Sequence, residues 1–217
     1  MVPVTELAWG CLDTPVGQVS VACTGAGVAR VGYGPPRGGA PGPVPGTPAA
    51  ALLAGALAEV EEYFAGCRKA FSVPVDLGRA RGSRRTVLSV LHDSVPFGQT
   101  ITYGGLAARA GLDAAAGPGA AAMPPARVVG QIMASNPVAL IVPCHRVVAG
   151  TGLGGYSGGT GTDVKHWLLV FEGALPATLD WDPVGLRRPS RPAPSRPNRR
   201  PPQSSLGRPG LGPMLLG

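Results

Sequence analysis

The sequence predicts a mixed α/β fold of the α+β type, with a small antiparallel sheet first and a mainly helical part after it. Two β-rich runs within residues 7–34, punctuated by glycines, predict the sheet. Farther along, apolar residues recur at helical spacing, and two short helices follow each other as in a helix-turn-helix variant. Gly and Pro number 34 and 25 in 217 residues but concentrate in 32–48 and 176–217, so the remainder can bury a core.

The N-terminal elements are predicted as follows. Residues 7–24 form two strands with a turn at Gly17, and residues 27–34 add a third. A Pro/Gly-rich loop occupies residues 34–48. Leucines and aromatic residues at spacings of three and four then predict a helix over residues 49–71.

Four further helices are predicted after an Arg-rich linker at residues 79–85. They cover residues 86–94 with Ser83 as N-cap, 103–110 before Gly111, 125–135 after a proline start, and 163–173. A low-complexity insertion, residues 113–122, separates the second from the third. The apolar stretch 137–144 predicts either a strand or a buried turn.

Three segments result: an N-terminal α/β domain at 1–78, a C-terminal domain at 79–175 and a tail at 176–217. The tail holds seven Arg and two Asp, so the body is almost neutral although the net charge is +7. The Pro/Arg-rich tail cannot bury enough apolar surface to offset its ordering entropy, which predicts disorder. It is either a nonspecific phosphate-binding segment or a solvated appendage.

Membrane and secretion signals are not evident in the sequence. No apolar run reaches the roughly 20 residues that span a bilayer, and the N-terminus lacks the basic cluster of a signal peptide. The four cysteines show no CxxC spacing, which favours reduced thiols. We therefore expect a cytoplasmic protein that is not bound to membranes.

Cys144 stands between Pro143 and His145 at the end of the apolar stretch. A thiol beside an imidazole is a candidate nucleophile, because a base or a positive neighbour is needed to form the thiolate. Glu172, at the end of the last predicted helix, is placed to orient the imidazole as the third member of a relay. A buried structural thiol is the other interpretation, and these residues alone leave both open.

Several motifs resemble the O6-alkylguanine-DNA alkyltransferase (methylated-DNA–protein-cysteine methyltransferase) family. They are NPVALIVPCHRVV, GGYSGG, K-x-x-L-L-x-x-E-G, YFAG-x-R-x-x-F-x-x-P-x-D-L and VPFGQTITYGGLA. The resemblance implies a ribonuclease-H-like N-terminal domain and a C-terminal domain that binds DNA and accepts the alkyl group. It further implies DNA repair by irreversible, single-turnover transfer from O6-alkylguanine in duplex DNA to a cysteine, with O4-alkylthymine as an open alternative. A monomer without a cofactor is expected.

The resemblance also implies catalytic roles for individual residues. Cys144 resembles the alkyl acceptor, His145 the base that acts through water, and Glu172 the carboxylate that orients the histidine. Asn136 matches the residue that braces the turn beside the active loop. Tyr103 matches the tyrosine that contacts the phosphate and the guanine edge and favours departure of guanine, a role that needs a nearby donor.

DNA contacts and a substrate pocket follow from the same resemblance. Arg127 matches the arginine that fills the stack when the nucleotide is flipped out, which offsets part of the flipping cost. Tyr156 matches the aromatic lid over the alkyl pocket and Ser157 a contact to guanine O6. The predicted DNA-binding residues are Arg127, Tyr103, Ala126 and Gly130, and the predicted pocket residues are Met133, Val147, Tyr156 and Ser157.

The chain departs from the family pattern in several places, among them the helix before the turn, where Ser83 and Leu88 stand in place of the Phe and Trp of many members. The insertion at 113–122 lengthens the link between the paired helices, and Ala139 replaces a proline that some members have beside the alkyl pocket. Cys11 and Cys23 do not supply the four ligands of the zinc site of some relatives, so no metal is expected. A non-catalytic lesion binder and a helix-turn-helix transcription factor are the alternative classes.

Overall fold

The N-terminal sheet has three antiparallel strands in the order β1 (Ala8–Thr14), β2 (Gly17–Thr24) and β3 (Gly27–Tyr33). The computed structural model describes residues 7–36, 42–78, 80–112, 123–159 and 161–176. β1 and β2 pair in register as far as Thr14 and Gly17. The predicted strands are confirmed, but the turn between β1 and β2 lies at residues 15–16, and Gly17, which was predicted at the turn, opens β2 with a φ of 95°.

Helix α1 (Pro48–Phe64) packs across this sheet through Leu53 and Val60, which are almost completely buried. It ends where Gly66 takes a φ of 75°, a left-handed conformation that glycine adopts without steric cost. The prediction of a helix as far as residue 71 is therefore wrong at its C-terminal end. The apolar spacing continues because Phe71 folds back onto the helix that precedes it.

The described residues beyond 80 contain four α-helices: α2 (Gly82–Ser94), α3 (Tyr103–Arg109), α4 (Pro125–Ala134) and α5 (Thr162–Phe171). Helices α3 and α4 pack against each other and both contact α2, as the predicted helix pair requires. The prediction that Ser83 is the N-cap of α2 is wrong. The helix starts four residues earlier than expected, so Arg81 is the N-cap and Ser83 lies inside the first turn.

Residues 138–143 form a buried turn, the second of the two predicted alternatives. The turn is tight, because Leu140 has a φ of 72°, which is unusual for a side chain of this size. It leads into a 3₁₀ turn, Cys144–Arg146, and then into β5 (Val147–Val148). β5 pairs in parallel with β4 (Ile101–Thr102). Together they form a two-stranded sheet that was not predicted from the sequence.

The N-terminal sheet and the helical part share one hydrophobic core. The amide of Val31 in β3 donates to the carbonyl of Pro137 at 2.9 Å, so the sheet edge is tied to the turn that precedes Cys144. Tyr63 lies at the centre of an aromatic cluster that joins both parts, and its ring contacts Phe64, Phe71, Phe97 and Phe171. All described residues belong to one compact unit.

Some predictions fall outside the described residues, namely those for the insertion at 113–122 and for the tail beyond Pro176. The domain boundary at residues 78–79 stays a prediction. None of the helices in the described ranges is long and apolar enough to cross a membrane.

Candidate active site

Cys144 opens the 3₁₀ turn and is 6% exposed at the wall of a cavity of about 440 Å³. The thiol is free, as are those of Cys11, Cys23 and Cys67. Cys11 and Cys67 are exposed on the surface, whereas Cys23 is buried in the N-terminal sheet. Cys144 is thus the thiol that combines burial, a cavity and an adjacent histidine.

His145 and Glu172 form a completely buried pair behind the thiol. The Nε2 atom of His145 lies 2.9 Å from Oε1 of Glu172. An ionised carboxylate only accepts hydrogen bonds, so Nε2 donates and Nδ1 keeps its lone pair. Nδ1 is buried and has no hydrogen-bond partner among the described residues. The pair therefore presents an oriented imidazole with a free basic nitrogen.

Glu172 receives three further hydrogen bonds of 2.7–2.9 Å that sequence reasoning had not assigned. The hydroxyl of Tyr63 donates to Oε1 at 2.7 Å, and Arg146 donates to both carboxylate oxygens at 2.9 Å. Arg146 also donates to the carbonyl of Val95 at 2.7 Å. Arg146 stands in the motif PCHRV and Tyr63 in the motif YFAG, but only their positions in the fold show that both bind Glu172.

This network sets the protonation of the pair. Burial raises the pKa of Glu172, but the hydrogen bonds and charges of His145 and Arg146 outweigh it and lower that pKa to about 2. Burial lowers the pKa of His145, and the neighbouring carboxylate opposes this only in part. At neutral pH the site therefore holds an ionised Glu172 and a neutral His145, the form that can take up a proton.

Asn136 braces the turn that carries Cys144. Its side-chain amide donates to the carbonyl of Val142 at 2.8 Å, and its side-chain oxygen accepts from the amide of Val138 at 3.1 Å. Burial raises the pKa of the Cys144 thiol, and donors from Asn136 and Tyr156 lower it in part. Asn136 thus holds the backbone of the turn and also lowers the pKa of the thiol that the turn carries.

Six of the predicted DNA-binding and pocket residues line the cavity beside Cys144: Tyr103, Ala126, Gly130, Met133, Tyr156 and Ser157. Val147, which we had also predicted there, does not line it. Its side chain is fully buried because β5 pairs with β4 behind the cavity. Ala134 and Gly155 complete the lining and had not been predicted.

Lys165 anchors the loop that covers the cavity, a role that sequence reasoning missed. This fully buried ammonium donates to the carbonyls of Val147 at 2.6 Å and Gly155 at 3.3 Å. The hydroxyl of Tyr103 donates to the same Gly155 carbonyl at 3.2 Å. Burial lowers the pKa of Lys165 to about 8, and its charge in turn lowers the pKa of Cys144. The sequence did offer one signal for this role, because a lysine on an otherwise apolar helix face is rarely buried without a partner.

Arg127 lies apart from the reactive group. It is exposed in the first turn of α4, next to Ala126, which lines the cavity. Its side chain is not among those that form the cavity wall. In the described ranges, no group of three or more His, Cys, Asp or Glu residues is arranged to hold a metal ion.

Two family models match the chain and together cover most of its length. Residues 7–77 match the ribonuclease-like domain of 6-O-methylguanine DNA methyltransferase. Residues 83–174 match the DNA binding domain of the same family.

Curated relatives and solved structures agree with these matches. A methylated-DNA–protein-cysteine methyltransferase of Mycolicibacterium paratuberculosis is 34% identical over 167 residues, which cover 74% of this chain and 89% of the relative. One from Methanopyrus kandleri is 38% identical over 120 residues, 55% of this chain and 79% of the relative. A crystal structure of Mycobacterium tuberculosis OGT in complex with DNA has a TM-score of 0.61 at 33% identity, covering 77% of this chain and 93% of that one. The chain therefore belongs to the 6-O-methylguanine DNA methyltransferase family.

Proposed function

We propose that this chain repairs O6-alkylguanine in duplex DNA by transferring the methyl or other small alkyl group to Cys144. One observation carries the assignment of the acceptor: Cys144 forms the wall of a cavity, and the adjacent His145 is oriented by Glu172. All the residues that the reaction needs come from a single chain, so a monomer is sufficient. The domain boundary proposed at residues 78–79 lies between the two family matches.

Proton transfer begins at the thiol. Nδ1 of His145 takes the Cys144 proton through one water molecule, and Glu172 stabilises the imidazolium that forms. The thiolate then attacks the alkyl carbon on O6 in line with the C–O bond. A C–S bond forms, the C–O bond breaks, and the electron pair passes to guanine.

Departure of guanine is easier when its negative charge is neutralised as it develops. Tyr103 lines the cavity, and its hydroxyl, which donates to the Gly155 carbonyl at 3.2 Å in the free protein, turns to the leaving base when guanine is bound. Burial raises the pKa of Tyr103, which keeps this hydroxyl protonated. Guanine finally gains one proton, which balances the proton that the thiol lost. The product thioether has no low-energy route back to the thiol, so each molecule acts once.

The target base must leave the duplex stack to reach the cavity, at a cost of a few kcal/mol. Helix α4 brings Ala126 and Gly130 to the cavity wall and holds Arg127 exposed in its first turn. The small side chains let this helix lie close to DNA, and the guanidinium is placed to occupy the vacated stack.

Arg127→Ala should slow repair of duplex DNA by about tenfold, because the flipped state loses the side chain that replaces the base. Reaction with free O6-benzylguanine should stay near the wild-type rate, since a free base needs no flipping. The two rates are compared by single-turnover kinetics, with Arg30→Ala, an exposed arginine of β3, as the matched control. Equal slowing with both substrates would show that Arg127 supports the pocket instead.

The proposed function is tested with duplex DNA that carries O6-methylguanine with a labelled methyl group. We expect the label to move to the protein until one methyl group is bound per molecule, leaving ordinary guanine in the DNA. Binding of the lesion without transfer would favour the non-catalytic lesion binder. Equal affinity for modified and unmodified duplex without transfer would favour a transcription factor.

A further inference from the structure

A tyrosine of the N-terminal sheet reaches the residues that cover Cys144. Tyr33 is the last residue of β3, and Tyr156 belongs to the loop between β5 and α5. Their hydroxyl oxygens are 3.0 Å apart, and their rings meet edge to face with centroids 6.3 Å apart. Both tyrosines line a second cavity of about 260 Å³, which also borders Cys144.

The backbone of this loop fits closely against Tyr33. A Cβ atom at Gly158 would lie 2.6 Å from the Tyr33 ring and 2.7 Å from the Tyr156 ring. Real Cβ atoms essentially never make non-bonded contacts this short, so a residue other than glycine would displace the two rings. A Cβ atom at Gly159 would lie 3.4 Å from Cγ of Tyr33, which is ordinary van der Waals contact. The ring of Tyr33 therefore packs directly on the loop.

We propose that Tyr33 is a positioning residue for the alkyl transfer, which holds the hydroxyl of Tyr156 and the Gly158–Gly159 backbone in place in the cavity that they line together with Cys144. The inference rests on the proposed function. Each tyrosine has one hydroxyl proton, and either can donate across the 3.0 Å contact; with Tyr33 as the donor, the proton of Tyr156 is free to turn towards Cys144. Hydrogen bonds in such a chain strengthen one another in a buried setting.

Both tyrosines carry the hydroxyl proton that this arrangement needs. Burial raises the pKa of both Tyr33 and Tyr156, so both hydroxyls remain protonated donors. Donation from Tyr156 lowers the pKa of the Cys144 thiol, which burial raises. The other titratable or polar groups that act on or adjoin this sulfur are Tyr103 on α3, Asn136 and His145 in the turn, and Lys165 on α5.

Tyr33→Phe keeps the ring and removes the hydroxyl. We expect it to slow transfer from free O6-benzylguanine about fivefold, the effect of one lost hydrogen bond. It should also move the pH midpoint of Cys144 alkylation by iodoacetamide upward, because the thiolate loses part of its stabilisation. That alkylation is followed on the Cys144 peptide by mass spectrometry, since Cys11 and Cys67 are exposed and react as well.

A double-mutant cycle with Tyr156→Phe decides whether Tyr33 acts through Tyr156. In the Tyr156→Phe background, Tyr33→Phe should add no further change in either readout. Ser20→Ala, which removes a hydroxyl on β2 that bonds to Gly32, is the matched control and should leave both unchanged.

The proposal is overturned if Tyr33→Phe changes neither readout, or if its effect is the same in both backgrounds. The iodoacetamide profile needs no DNA lesion. If the wild type failed to transfer an alkyl group, the profile would still test the Tyr33–Tyr156–Cys144 arrangement separately from the proposed function.

Discussion

Cys144→Ala is expected to abolish alkyl transfer and to leave binding to duplex DNA within about twofold of the wild type, because phosphate contacts set most of the affinity. The substitution removes the sulfur that forms the new bond and leaves the cavity wall otherwise intact. Transfer is measured with a labelled methyl group on the duplex, and binding by fluorescence anisotropy at fixed salt concentration.

Cys67→Ala is the matched control for this experiment. Cys67 is exposed, and its thiol bonds to the nearby carbonyl of Ala65, so its removal should not alter transfer. Near-wild-type transfer by the Cys144→Ala protein would contradict the assignment of the acceptor.

Glu172→Gln is expected to destabilise the protein by about 3–5 kcal/mol at neutral pH and to slow transfer by about 100-fold or more. The neutral amide leaves the guanidinium of Arg146 buried without its counter-charge. It also no longer stabilises an imidazolium on His145. The free energy of unfolding is measured with urea, and transfer by single-turnover kinetics under conditions in which the variant is folded.

The stability difference between wild type and this variant should depend on pH. The pKa of Glu172 is about 2 in the folded protein and has a usual value of 4.5, so the carboxylate stabilises the fold above pH 4.5. That contribution is lost as the pH falls from about 4.5 towards 2, and the difference between the two proteins should narrow over the same range.

Glu62→Gln is the control for the stability measurement. Its carboxylate pairs with Arg68 at 2.7 Å but is 51% exposed, and surface pairs of this kind contribute about 1 kcal/mol or less. A loss of stability in Glu172→Gln no larger than that in Glu62→Gln would refute the buried network as the support of the site.

The reactive centre could be predicted from the sequence because its residues are close together along the chain or stand in a specific motif. Cys144 and His145 are neighbours, and Glu172 ends the helix that follows the loop. The lining of the cavity by Met133, Tyr156 and Ser157 was also expected, whereas Val147 turned inward. Val147 lies in β5, which pairs with β4, and strands of two residues are too short to leave a pattern in the sequence.

Other contacts could not be predicted because they depend on how distant segments pack. Tyr63 bonds to Glu172 across 109 positions, and Tyr33 bonds to Tyr156 across 123. Neither tyrosine differs in sequence from an ordinary core aromatic residue. The end of α1 was misplaced for a related reason, since Phe71 keeps the helical spacing only by folding back onto Tyr63.

The central claim is that the alkyl group moves to the thiol that His145 and Glu172 support. Its most direct test is peptide mapping by mass spectrometry after the full chain has reacted with a duplex that carries O6-methylguanine. We expect one methyl group per molecule, located on the peptide that contains Cys144, with Cys11, Cys23 and Cys67 unmodified. A methyl group on any other cysteine, or an unmodified Cys144 after the DNA has been repaired, would contradict this account.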